Sequence, residues 1–84
     1  MDHGKQIVIL DRGFVYVGEV VTDETWCTIS NASNVRRWGT TKGLGELAAG
    51  GPTRNTVLDP AGTVRAPMSS VVAMLGCEVD KWAA

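Results

Sequence analysis

Gln6-Ile7-Val8-Ile9-Leu10, then Asp11-Arg12-Gly13, then Phe14-Val15-Tyr16-Val17-Gly18-Glu19-Val20-Val21-Thr22, is the stretch whose reading decides the fold. Two runs rich in β-branched and aromatic residues flank a short break containing glycine, which is the pattern of a β-hairpin. Working outward, Thr22-Asp23-Glu24-Thr25 is a second polar break and Trp26–Ile29 resumes a strand. Ser30-Asn31-Ala32-Ser33-Asn34 reads as a loop, and Val35–Trp38 as a short strand ending at Gly39. Leu44, Leu47 and Ala48 recur at helical spacing near residues 43–49, with Thr40-Thr41 as an N-cap and Gly50-Gly51-Pro52 as a stop. Asp59-Pro60-Ala61-Gly62 fits a type I turn between strands at Thr56–Leu58 and Val64–Ala66, and Ser70–Val79 reads as the last strand.

Short strands at this spacing with one two-turn helix predict an all-β or β-rich α+β domain: a five- to six-stranded antiparallel barrel or roll. The chain of 84 residues is one domain, 1–84, too short for a second core, with residues 1–5 expected to be mobile. The first and last strands are apolar on both faces, so each needs two covers. The second cover is either another subunit, giving a homo-oligomer, or the helix and the Trp-bearing loops.

Composition removes several classes of function. The lone histidine, His3, sits in the terminal segment, so no base stands ready for a nucleophile, and the chain reads as non-enzymatic. Cys27 and Cys77 form no C-x-x-C pair and are too few for a disulfide framework; with His3 they also fall short of a zinc ligand set, so no metal or cofactor is expected. Glu78, Asp80 and Lys81 read as a solvated cluster. No apolar run reaches the length of a membrane span or opens a secretory signal, so the expected location is the cytoplasm. A formal charge of −1 lacks the broad basic field of a nucleic-acid binder.

The charge is nevertheless uneven: residues 31–65 hold Arg36, Arg37, Lys42, Arg54 and Arg65 against only Glu46 and Asp59. Within that segment Arg36, Arg37, Trp38, Thr40, Thr41, Lys42 and Gly43 lead from a strand into a helix start. Backbone N–H groups, hydroxyls and a lysine there suit a phosphate, while Arg36 and Trp38 on one face of an extended strand could clamp a planar ring. The Walker order of Gly-Lys-Ser/Thr is not present, since Lys42 precedes Gly43. The same residues also fit a purely structural account, with Trp38 in the core, the threonines as a cap and the arginines guarding a strand edge.

Asn31-Ala32, Val35-Arg36-Arg37-Trp38, Leu44, Leu47-Ala48 and Gly50-Gly51-Pro52, followed by an apolar strand, resemble a group of small uncharacterised proteins encoded by bacteriophages and prophages, over roughly residues 6–80. That group supplies no activity and no functional residues. The resemblance implies an accessory phage protein: a counter-defence sponge for a nucleotide signal, an inhibitor of a host defence complex, or a virion component. The sponge agrees best with the Gly/Thr loop, its cations and Trp38.

Overall fold

In the computed structural model, residues 1–82 are described, and Ala83 and Ala84 lie outside the described residues. Five strands form one antiparallel sheet: β1 Asp2–Leu10, β2 Val15–Thr22, β3 Trp26–Arg37, β4 Val57–Pro67 and β5 Val71–Gly76. The order across it is β4-β3-β2-β1-β5, so the last strand returns to pair with the first. Helix α1 spans Leu44–Gly50 and a one-turn helix, α2, spans Val79–Trp82. Among the described residues no helix is long and apolar enough to cross a membrane.

The sheet curls because a short connection demands it. Strands lie about 4.8 Å apart, so the edges β4 and β5 of a flat five-stranded sheet would be about 19 Å apart. Only the 3₁₀ turn Met68–Ser70 joins them, and even an extended link of that length reaches no more than about 14 Å. The sheet rolls until the two edges approach, and the Met68 amide donates to the Thr25 carbonyl oxygen at 2.8 Å to hold the link in place. The expected β-rich roll is therefore present with five strands, but it is open: no ladder joins β4 to β5 and no barrel closes.

Alternation puts apolar residues on both faces of this roll. Val8, Leu10, Val20, Cys27, Ile29 and Ala66 fill its inside. Ile7, Val15, Val17 and Val35 form the outer face and are covered by Leu44, Leu47 and Ala48 of α1 and by Trp82. The second cover of β1 is thus the helix and a Trp-bearing segment of the same chain. Trp82 is fixed there by its indole N–H, which donates to the Ala48 carbonyl oxygen at 3.1 Å.

Three local readings are corrected by pairing across the sheet. Residues 30–34 are strand rather than loop: β3 runs through them, flanked on both sides by β2 and β4, with its extra residue absorbed as a bulge at Asn31. Asp59–Gly62 is no turn, because β4 continues through it as an edge strand, where Pro60 can leave its missing N–H facing outward. Asp2–Lys5, expected to be a mobile lead-in, belong to β1 and pair with β2. The His3 Nε2 lies 2.7 Å from the Thr22 hydroxyl.

The β2–β3 turn is held by Asp23, whose Oδ1 accepts from the amides of Thr25 at 2.8 Å and Trp26 at 2.7 Å. Those hydrogen bonds favour the carboxylate and hold its pKa below the ordinary 3.8. A group depressed in the folded state contributes stability above its unfolded pKa and loses it as pH falls through the lowered value. Asp23→Ala is therefore expected to lower the melting temperature at neutral pH, with the gap to the parent protein closing as pH falls below 3.8. Thermal unfolding followed by circular dichroism at pH 7, 4 and 2.5 reads this; a gap that stays constant would exclude the turn's ionic component.

Candidate functional site

The basic segment forms a rim at the far end of β3. Arg36 and Arg37 are the last strand residues, and Trp38 follows with 44% of its surface exposed. Trp38 is thus not a core residue. The rim is braced from a distance in sequence: the Thr56 hydroxyl donates to the Trp38 carbonyl oxygen and the Thr53 hydroxyl to that of Gly39, both at 2.7 Å. Gly39, at φ 69°, passes so close to the 53–56 turn that an added Cβ would stand 2.7 Å from the Asn55 carbonyl oxygen. Arg54 lies in that bracing turn.

The other expected site residues divide by how they are engaged. Arg36 is engaged at the surface, its Nε 2.7 Å from Asp59 Oδ2. The Thr40 hydroxyl donates to the Gly43 carbonyl oxygen at 2.9 Å. The Thr41 hydroxyl donates to Glu46 Oε1 at 3.2 Å, and its amide to Oε2 at 3.4 Å. Neither threonine caps α1, whose N-cap is Gly43 at φ 87° with no side-chain bond. The Glu46 carboxylate thus already holds the Thr41 donors that the sequence suggested for an anion, and a backbone carbonyl holds the Thr40 hydroxyl. Among the described residues Arg37, Lys42 and Arg54 make no ion pair, because the Arg36–Asp59 pair is the only one.

Thr53, Thr56 and Asp59 were missed as shapers of this rim. Asp59 carries the turn signature locally, and only the register that sets β4 beside β3 shows that it faces Arg36. The three principal cavities lie elsewhere, and none is lined by any residue from Arg36 to Gly43. The rim is a shallow surface.

Two further groups bear on chemistry. Burial raises Cys27 and pushes the Cys77 thiol up to about 11, with Glu19 adding to the rise and Lys5 and the Ile7 backbone opposing it. The two thiols are free and stand on opposite faces of the sheet. A thiol raised to about 11 is almost wholly protonated at pH 8. Iodoacetamide labelling of Cys77 in the folded protein is expected to be about tenfold or more slower than in urea, as followed by mass spectrometry; equal rates would remove burial as the cause. Among the described residues no group of three His, Cys, Asp or Glu side chains assembles to hold a metal ion.

Comparison with protein-family models, with curated proteins and with solved structures yields no match to the chain.

Proposed function

We propose that this is a non-catalytic phage accessory protein that captures a phosphate-bearing nucleotide on the rim formed by Arg37, Trp38 and Lys42, sequestering a signal of host defence in the cytoplasm. The observation that carries the reading is a half-exposed indole on a braced strand end, flanked in the chain by Arg37 and Lys42, which have no carboxylate partner among the described residues. An indole face stacks on any nucleobase, and unpaired Arg and Lys side chains supply charge for phosphate oxygens. Thr40, Thr41 and Gly43 then shape the loop rather than touch the ligand, and Arg36 anchors it to β4.

A shallow rim buries too little of a small ligand by itself, since tight sites enclose most of their ligand's surface. The proposal therefore includes a second copy of the chain, whose rim covers the nucleotide from the other side. Isothermal titration against cyclic and linear nucleotides, with sedimentation to read the oligomer, tests both parts. A nucleotide at a hundred times its Kd adds about 2.7 kcal/mol of stability, so a thermal-shift screen would reveal it. No shift with any of them would sink the reading.

The shallowness of the rim also favours a second reading, an inhibitor that docks on a host defence protein with Trp38 and Arg37 as anchors, because exposed Trp and Arg dominate protein interfaces. A stoichiometric host partner recovered independently of nucleotide would select it.

A further inference from the structure

The uncovered part of the outer face holds a different site. Helix α1 is only two turns long and shields the Ile7, Val15 and Val17 end of the sheet. Beyond it lies a cavity of about 350 Å³ whose polar lining is Lys5, Lys81, Asn31 and Ser33. Its apolar wall is Val17, Leu58 and Trp82, and no acidic residue lines it. Among the described residues neither lysine makes an ion pair. Glu19, the cross-strand neighbour of Lys5, lines an adjoining cavity to which Lys5 and Trp82 also belong.

Asn31 stands in this cavity at a backbone cost. Among the described residues it is one of two non-glycine residues with positive φ, at 50°, and it occupies the bulge where the register of β3 shifts between Ile29 and Ala32. Gly18 permits that bulge: a Cβ there would lie 2.7 Å from the Ser30 carbonyl oxygen. A bulge re-aims a side chain, and a strained residue inside a strand persists only where its surroundings determine it. The Lys81 backbone and Trp82 are held in place, because Gly51 at the end of α1 is pressed against the Lys81 carbonyl and Trp82 is bonded to Ala48. Concavity, two lysines with no acidic residue in the same lining, an amide and a hydroxyl meet on an apolar wall, which is the composition of a small-ligand pocket.

We propose that this cavity binds a small amphipathic anion, a single flat apolar or aromatic body bearing one carboxylate or phosphate, with Lys5 and Lys81 on the acid group and the ring against Trp82. The site is separate from the Arg37–Trp38–Lys42 rim and does not depend on it. Titration calorimetry of the full chain with indole-3-acetate and with phenyl phosphate, against neutral indole and phenol, distinguishes a carboxylate from a phosphate source. At least one anion is expected to bind with a sub-millimolar Kd and its neutral counterpart at least tenfold more weakly. The double variant Lys5→Gln/Lys81→Gln should weaken that binding at least tenfold, while Arg37→Ala/Lys42→Ala leaves it within twofold. Ser33→Ala, which removes only a hydroxyl, should weaken it severalfold and serves if the lysine variant fails to fold. Absence of binding by both anions at millimolar concentration overturns the proposal, as does binding that survives the lysine or Ser33 changes but is lost with the rim variant.

Discussion

Gly51→Ala is expected to lower the melting temperature by roughly 12–24 °C, the equivalent of about 3 kcal/mol in a domain of this size. Gly51 lies at φ 81° and ψ 176°, a region of backbone space that other residues enter only at a cost of about 1–3 kcal/mol. Its missing Cβ would also run into the Lys81 carbonyl. A backbone atom cannot rotate aside, so relief requires α2 to move and Trp82 to leave its place over the sheet. Against a total stability of about 5–10 kcal/mol, that is a large fraction. Gly45→Ala is the control, because Gly45 lies inside α1 with open space around it, and alanine there should add up to about 1 kcal/mol of helix stability. Urea unfolding of both variants reads the contrast; shifts of equal sign and size would mean that the α1–α2 contact does not hold the outer face together.

The second large effect falls on binding rather than folding. Trp38→Ala is expected to weaken nucleotide capture about 5- to 150-fold, the range for losing one base-stacking partner. Stability should change little, since the indole is half exposed and the rim is braced through the Trp38 carbonyl rather than its ring. Titration of Trp38→Ala and Trp38→Phe side by side separates stacking from structure, because phenylalanine restores a smaller π-face and should recover part of the affinity. Unaltered nucleotide affinity in both variants would move the ligand away from the rim.

The hairpin of β1 and β2 was legible because its two signals are local, alternating β-branched residues and a glycine after Arg12. Helix α1 was legible from the spacing of Leu44, Leu47 and Ala48, all of which are buried. What could not be read was decided by partners distant in sequence. Ser30–Asn34 carries loop-forming residues, yet β2 and β4 on either side supply enough pairing to hold it as strand. Asp59-Pro60-Ala61-Gly62 has a turn's residues at a turn's positions, and it stays extended because β4 needs a partner on one side only. The one-turn α2 has too few residues to show a period, and tertiary contacts through Trp82 hold it. At the rim the cations and the indole were visible in the sequence, but their availability was not. Asp59 takes Arg36 and Glu46 takes Thr41 through the folded geometry, leaving Arg37, Trp38 and Lys42 outward.

The return of β5 to β1 sets the order of events in folding. Gln6 pairs with Gly76 and Leu10 with Val71, so segments far apart in sequence must meet before β1 has a neighbour on both sides. Contacts this far apart in sequence slow the search for the native state toward the millisecond-to-second range of β-rich domains. During synthesis the meander β1–β4 can assemble first, but β1 keeps a bare edge until β5 has been made. The interval before β5 arrives is when that edge is open to pairing with the wrong strand.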